Sequence, residues 1–121
     1  MQRLEQAVVG LEQALSTPPG THQSWRKIVQ QRLKAVRKAL TAERAHASEV
    51  WLTPRAGHLH RERNRLLTRV AALVGLLGTE AVDDEPLRQN LHRLAIDLHH
   101  HQQRVNDLAY DSVSMEVGGS E

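Results

Sequence analysis

The chain has 121 residues, of which 40% are hydrophobic and 25% charged, a composition typical of one soluble globular domain. It contains no cysteine, so disulfides and thiolate metal sites are excluded. The formal net charge of +2 is too small to predict nucleic-acid binding, and the longest weakly polar stretch, residues 70–78, is too short to span a membrane. Because Glu5 and Gln6 interrupt the apolar residues near its start, the chain does not resemble a secretory signal there, and we expect a cytoplasmic protein.

Two amphipathic segments make up the first half of the chain. The first ends at the Thr-Pro-Pro-Gly sequence 17–20, and its apolar residues at helical spacing are Leu4, Val8, Leu11 and Leu15. Thr21 or Ser24 can cap the second, in which apolar residues recur every three or four positions from Trp25 to about Trp51. We therefore expect a first helix of roughly 22 Å and a second of roughly 45 Å.

Two further amphipathic segments follow. Pro54 is suited to the first turn of a third helix, whose apolar residues keep helical spacing over residues 59–77. The acidic sequence 83–85 favours the start of a fourth helix, because the helix dipole favours negative charge at that end. This periodicity is lost near the end of the chain, so we expect one domain over residues 1–113 and a flexible or extended tail over 114–121.

The four segments predict an all-α fold. No segment alternates with period two, and short connections between amphipathic helices predict antiparallel neighbours. The expected architecture is an antiparallel up-down four-helix bundle with a short first helix. Because that helix covers only half of the second, we expect an uncovered apolar groove that exposes Val50, Trp51 and Leu59. Such a groove favours a homo-oligomer or a bound protein partner.

Three titratable residues, Glu43, Glu62 and His101, interrupt the apolar faces of the second, third and fourth helices. Glu43 and Glu62 lie about equally far from the turn between their helices, and His101 follows Pro86 by fifteen residues as Glu62 precedes Leu77 by fifteen. In an antiparallel bundle these counts place all three at one height. Since a buried histidine needs a polar partner, we predict that His101 points inward and bonds Glu62, with Glu43 at the same level.

Two more histidines are candidates for this polar layer. His46 lies three residues after Glu43, and His58 lies four residues before Glu62. Carboxylates and imidazoles that converge inside a bundle form a ligand set suited to iron or zinc, and Glu43-x-x-His46 has the spacing of carboxylate-bridged di-iron bundles. The alternative is a protein without a cofactor, in which His101 and Glu62 form a buried structural ion pair.

Two exposed surfaces are candidates for partner binding. The second helix has no acid between His22 and Ala42, and its candidate contacts to an acidic partner are Lys27, Lys34, Arg37 and Lys38. On the fourth helix, the residues turned away from the core are His92, Ile96, His99 and Tyr110. With two tryptophans, one tyrosine and no phenylalanine, the chain has little material for base stacking, so we expect no specific nucleic-acid binding.

The last third of the chain starts at Leu87, contains the sequence Leu-His-His-His-Gln-Gln-Arg-Val-Asn-Asp-Leu-Ala-Tyr-Asp, and closes on Gly118-Gly119. A histidine-bearing helix that runs into an acidic and aromatic segment and a short Gly-Gly end resembles the last helix of bacterial hemerythrin-like proteins. The resemblance implies a four-helix bundle. In that family the bundle holds a di-iron centre that takes up or senses oxygen.

The ligand motifs of that family match this chain only in part. Hemerythrins use His-x3-Glu, His-x3-His and His-x4-Asp on successive helices. Here His58-x3-Glu62 lies on the third helix, His92-x4-Asp97 projects away from the core, and no His-x3-His is present. The resemblance therefore implies a hemerythrin-like fold without an intact di-iron site.

Three functions stay open from the sequence. The first, which we favour, is a non-enzymatic module that associates with a second copy or a protein partner, since neither a nucleophile-base-acid arrangement nor a glycine-rich phosphate loop is present. The second is a metal-binding or oxygen- or redox-sensing protein that uses the polar layer. The third is a weak binder of acidic partners through the second helix.

Overall fold

A computed structural model describes residues 3–16, 21–46 and 54–119, with side chains over 4–16, 21, 23–43 and 57–108. The helices are α1 (Arg3–Ser16), α2 (His22–His46), α3 (Pro54–Leu77) and α4 (Asp84–Gly119). They contain 14, 25, 24 and 36 residues, so the first is the shortest. The described ranges contain no strand, and the predicted all-α four-helix bundle is confirmed.

The four helices form a closed ring in which each contacts the next and α4 returns to contact α1. A hydrogen bond of 3.3 Å joins Arg26, near the start of α2, to the carbonyl of Leu76, near the end of α3. A second, of 3.0 Å, joins Arg88, near the start of α4, to the carbonyl of Leu15, near the end of α1. The start of α2 therefore lies beside the end of α3, and the start of α4 beside the end of α1, an arrangement typical of antiparallel neighbours.

The apolar faces of the helices meet in one core. Its fully buried aliphatic side chains include Val8, Leu11, Val29, Leu33, Val36, Leu40, Val70, Leu87, Leu91, Leu94 and Leu98. Each such side chain stabilises the fold by about 1.5–3 kcal/mol relative to its exposed state. In the described part of the chain, no helix has both the length and the apolar character needed to cross a membrane.

The start of α2 is fixed by a side-chain cap. The hydroxyl Oγ1 of Thr21 accepts a hydrogen bond of 3.0 Å from the backbone N–H of Ser24. This bond satisfies one of the N–H groups that have no partner within the first turn of a helix. Of the two capping residues that the sequence allows, Thr21 is the one used.

A buried arginine holds the end of the bundle at which α3 ends and α4 begins. Arg26 is 4% exposed, and its Nε donates a hydrogen bond of 2.7 Å to Asp84. Its remaining guanidinium N–H groups donate to the backbone carbonyls of Leu76, Thr79 and Val82. Since α3 has no basic residue in its own last turn, a side chain of α2 supplies the donors that its end requires.

A second arginine has the same role at the end of α1, which also lacks a basic residue in its last turn. Arg88 of α4 donates to the carbonyl of Leu15, and its guanidinium lies 4.6 Å from the centre of the Trp25 ring. This distance is within the range of a cation–π interaction. We call Arg26, Asp84 and Arg88 together the closed end of the bundle.

The structure differs from the sequence prediction at Leu59. We expected Leu59 in an exposed groove, but it is 1% exposed because Val105 and Leu108 of α4 pack against it. The prediction was wrong because it did not take account of how far α4 continues alongside α3. The other two residues of the predicted groove, Val50 and Trp51, lie outside the described residues, as does the predicted extension of α2 to Trp51.

The backbone near the end of the chain also differs from expectation. α4 continues to Gly119, whereas we predicted a flexible or extended tail over residues 114–121. Once a helix has formed, each added residue gains a hydrogen bond without a new nucleation step, and the sequence from Leu87 to Gly119 contains no proline. Loss of an apolar stripe is thus a poor sign of a helix end when nothing stops the backbone.

Candidate functional site

His101 lies in the interior of the bundle between two carboxylates. Its side chain is fully buried, at the place in α4 where the apolar stripe passes from Leu98 to Val105. Nδ1 lies 2.6 Å from Oε1 of Glu62 on α3, and Nε2 lies 2.8 Å from Oε1 of Glu43 on α2. The predicted inward direction of His101 and the common height of the three residues are confirmed.

The geometry selects the protonated form of His101. A neutral imidazole has one N–H group and one lone pair, so it can donate to only one of two carboxylates. With a carboxylate oxygen within 2.8 Å of each ring nitrogen, a lone pair on either one would face negative charge. An imidazolium, which has two N–H groups, donates to Glu43 and Glu62 at the same time. A metal ligand would instead require the neutral ring.

Arg104 completes the group of charges. It lies on α4, one turn after His101, and it donates to Glu62 with two parallel hydrogen bonds, Nε to Oε1 (3.2 Å) and Nη2 to Oε2 (2.8 Å). Such a paired arrangement is among the stronger arginine–carboxylate contacts. We call Glu43, Glu62, His101 and Arg104 the His101 layer. With His101 protonated, its two positive and two negative charges sum to zero.

The charges of the layer shift the pKa values of its members. Burial lowers the pKa of His101, but the hydrogen bonds and negative charges of Glu43 and then Glu62 outweigh it and raise that pKa above the ordinary 6.5. Burial raises the pKa of Glu62, but the hydrogen bonds and positive charges of Arg104 and His101 outweigh it and hold that pKa below the ordinary 4.5. Both shifts favour the charged forms that the geometry requires.

The two other candidate metal ligands do not extend the layer in the described part of the chain. The side chain of His58 is exposed, in contrast to the buried His101, and its place beside the layer stays a prediction. Four residues are slightly more than one helical turn, so the side chain of His58 is rotated farther toward solvent than that of Glu62. The backbone of His46 is part of α2, but its side chain lies outside the described residues. Among the side chains that are described, no group of three or more His, Asp or Glu residues has a geometry that could hold a metal ion.

Positive charge is concentrated on α2 and α3. Residues 22–79 contain twelve Lys and Arg against three Asp and Glu, a net charge of +9, whereas residues 80–121 contain three bases against nine acids, a net charge of −6. Two of the three acids of the first group, Glu43 and Glu62, bond His101 inside the bundle, and the third, Glu49, lies outside the described residues. On the described parts of α2 and α3, no exposed carboxylate offsets the bases.

The predicted basic residues of α2 are all exposed, and two arginines of α3 add to them. The four predicted residues of α2, which are Lys27, Lys34, Arg37 and Lys38, are exposed. On the neighbouring helix, Arg61 and Arg65 are also exposed. We call these six residues the basic face. Arg26 belongs to the same acid-free stretch of sequence, but it is buried at the closed end and takes no part in this surface.

The outer side of α4 also matches its predicted exposure. His92 and His99 are exposed, and Ile96 between them is 56% exposed, the highest value among the large hydrophobic side chains that the structure describes. Tyr110, the fourth residue of that predicted surface, has a side chain outside the described residues. Asp97 pairs with Arg69 of α3 at 2.7 Å.

Sequence reasoning missed two residues that organise the polar interior. Arg104 was missed because its exposed position in α4 gave no sign that it reaches Glu62, although its spacing three residues after His101 places the two on adjacent turns. Arg26 was not singled out from the other bases of the acid-free stretch 22–42. Its place directly after Trp25, beside the apolar stripe, was the available signal.

Comparison with known proteins identifies no relative of this chain. No protein-family model matches it, no curated protein matches it, and no solved structure matches it. The resemblance to hemerythrin-like proteins therefore stays a prediction.

Proposed function

We propose that the protein is a non-enzymatic helical module that associates with an acidic surface of a protein partner through the basic face. The observation that carries this proposal is the segregation of charge. The described parts of α2 and α3 expose six bases in the basic face, while their carboxylates Glu43 and Glu62 are held by His101. A face with one sign of charge attracts partners of the opposite sign and speeds their association.

The His101 layer supports a non-catalytic function. A general acid or base must come within hydrogen-bonding reach of a substrate. His101 is fully buried, and each of its ring nitrogens is already bonded to a carboxylate. Its contacts fit a residue that joins α2, α3 and α4 better than one that exchanges protons with a substrate.

A protein surface suits the basic face better than nucleic acid does. The chain has only three aromatic residues, and Trp25 is buried in the core. The protein therefore offers few aromatic side chains on which the bases of a nucleic acid could stack. The remaining attraction to phosphates is not specific for sequence and falls steeply with salt.

A homodimer through the outer side of α4 is the second candidate. A two-fold dimer places the same surface of both copies in contact. A dimer formed through the basic face would therefore bring positive charge against positive charge. The outer side of α4 instead exposes Ile96 between two histidines. Light scattering of the wild type and of Ile96→Ser separates these cases. A dimer that Ile96→Ser converts to a monomer supports this second candidate.

The proposal is tested with a fluorescein-labelled oligoglutamate of about 20 residues as the acidic probe. We expect anisotropy titrations to give an affinity that falls as salt increases from low to physiological concentration. The double variant K34Q/K38Q removes two charges of the basic face, and we expect it to weaken binding about tenfold at low salt. The control Q89E/Q103E changes the net charge by the same amount on exposed positions of α4.

The control separates a local effect from an effect of total charge. If Q89E/Q103E weakens binding as much as K34Q/K38Q, the basic face is not the site. If the wild type fails to bind oligoglutamate even at low salt, association with an acidic surface is wrong.

A further inference from the structure

A groove of about 420 Å³ runs along the outside of the bundle between α1 and α2. Small residues line it on both sides, Ala7 and Gly10 on α1 and Ala35 and Ala39 on α2. Two cationic residues of α2 flank this floor, Arg32 and Lys38. A floor of small side chains lets another helix approach closely, because the distance between packed helices depends on the side chains at the contact.

Gly10 lies on the floor of the groove, next to the side chain of Arg32. It lies in the middle of α1, where glycine weakens a helix relative to alanine. A Cβ atom at this position would lie 3.4 Å from a guanidinium nitrogen of Arg32 and 3.5 Å from its Cδ. Both distances are ordinary van der Waals contacts, so Arg32 lies over Gly10 at the rim of the groove and an alanine at this position would fit beside it.

The groove carries positive charge without a nearby acid. No Asp or Glu is among the described residues that line it, and neither Arg32 nor Lys38 forms an ion pair with a described residue. The acids of α1 lie elsewhere on that helix. At 100° per residue, Glu12 is turned about 200° away from Gly10 and Glu5 about 140°.

An exposed apolar residue lies beyond the groove, toward the start of α2. Ile28 is 45% exposed and precedes Arg32 by four residues, so the two lie on the same side of the helix. The row from Ile28 to Ala39 spans roughly 16 Å, or about three helical turns. Over this length, which one short helix can cover, α2 presents the apolar or small residues Ile28, Ala35 and Ala39 beside the cationic residues Arg32 and Lys38.

We infer that the groove docks an amphipathic helix of the partner protein, with an Ala- or Leu-rich face against the floor and Asp or Glu residues against Arg32 and Lys38. This inference rests on the proposed function and names the kind of partner that the basic surface binds. The apolar floor favours a helix over nucleic acid, because phosphates would contact only the rim.

The experiment uses a fluorescein-labelled helical peptide of about 14 residues, with one Ala/Leu face flanked by glutamates, and a permuted peptide of the same composition that has no apolar face. Anisotropy titrations compare the wild type with Ala35→Leu, which fills the groove and keeps a good helix former. The matched control is Ala72→Leu, which adds the same side chain at an exposed position of α3 outside the groove.

We expect Ala35→Leu to weaken binding of the amphipathic peptide about tenfold, and Ala72→Leu to change it less than about twofold. We also expect the permuted peptide to bind about tenfold more weakly than the amphipathic one. Equal affinities of the two variants would overturn the inference, as would equal affinities of the two peptides or tighter binding of duplex DNA.

The basic-face variant K34Q/K38Q separates this inference from the proposed function. If K34Q/K38Q weakens binding of oligoglutamate while Ala35→Leu leaves the affinity for the helical peptide unchanged, docking in the groove is wrong and the proposed function stands. If the wild type binds neither oligoglutamate nor the helical peptide, both are wrong.

Discussion

The closed end and the His101 layer are two buried polar groups in the same bundle, and their partners differ in kind. At the closed end, Arg26 donates to three backbone carbonyls and to one carboxylate, Asp84. In the layer, His101 donates only to side chains, the carboxylates of Glu43 and Glu62. Arginine stays charged at any pH at which the protein folds, whereas histidine and glutamate titrate.

The difference shows two ways in which a helical bundle can satisfy buried polar groups. Whatever its sequence, a helix ends in carbonyls that have no donor within the helix. A donor such as Arg26 satisfies these backbone acceptors. No backbone group requires the His101 layer, because three apolar side chains could occupy its place. We therefore expect the closed end to be required for stability and the layer to be replaceable as a unit.

The largest effect is expected at the closed end. Arg26→Met keeps the apolar stem but removes every donor to the three part-buried carbonyls and one partner of Asp84. We expect the free energy of unfolding to fall by about 3 kcal/mol, because several part-buried acceptors lose their donor at once. Urea denaturation measures the change, and Arg37→Met, at an exposed position of the same helix, is the matched control. Equal effects of the two variants would show that Arg26 does not hold the helix ends.

A smaller effect is expected at the layer, and it should be reversible. His101→Leu leaves two partly buried carboxylates next to an apolar side chain, and we expect a loss of about 2 kcal/mol. Neutralising them in the triple variant H101L/E43Q/E62Q should restore stability to within about 1 kcal/mol of the wild type.

His58→Leu is the control for this series, because it changes an exposed histidine one turn before Glu62. We expect it to leave the urea midpoint unchanged. A triple variant that is less stable than His101→Leu alone would contradict the claim that the layer is replaceable. No side-chain change can repair Arg26→Met in the same way, because its main acceptors are carbonyls.

The smallest effect is a dependence on pH that only the layer should show. The pKa of His101 is raised above 6.5, so its contribution is complete below that pH and is lost as the pH rises through the folded pKa. The pKa of Glu62 is lowered below 4.5, so its contribution is complete above that pH and is lost as the pH falls through the folded pKa.

The stability advantage of the wild type over H101L/E43Q/E62Q should therefore be largest between pH 4.5 and 6.5. Urea denaturation of both proteins across pH 4 to 9 gives this difference directly. The effect of Arg26→Met should change less over this range, because arginine stays charged and three of its four acceptors are backbone carbonyls. An advantage that grows above pH 7 would mean that His101 is neutral in the folded protein.

The layer could be predicted from sequence because its geometry follows from helical spacing. His101 interrupts an apolar stripe, and counts from the helix ends place it level with Glu62, since consecutive helices run antiparallel. The closed end could not be predicted in this way. The partners of Arg26 are carbonyls at the end of α3 and in the following turn, and a residue type gives no information about its own carbonyl.

Exposure was harder to predict where it depends on how far helices extend. Leu59 was expected in an open groove, but Leu108 of the long α4 covers it. By contrast, the exposure of Ile96 followed directly from its position opposite the stripe of α4. A helical pattern thus defines the inner face of each helix, while the extent of the neighbouring helices decides which parts of that face are covered.

The central claim is that His101 is an imidazolium held by two carboxylates and not a metal ligand. Long-range ¹H–¹⁵N NMR of the tagless protein distinguishes protonated from unprotonated ring nitrogens of each histidine, and His101→Leu assigns the signals. We predict that both ring nitrogens of His101 carry protons at pH 6.5, that they titrate with a pKa above that value, and that added Zn²⁺ or Fe²⁺ leaves them unchanged. An unprotonated ring nitrogen at pH 6.5, or a metal-dependent loss of these signals, would contradict the account.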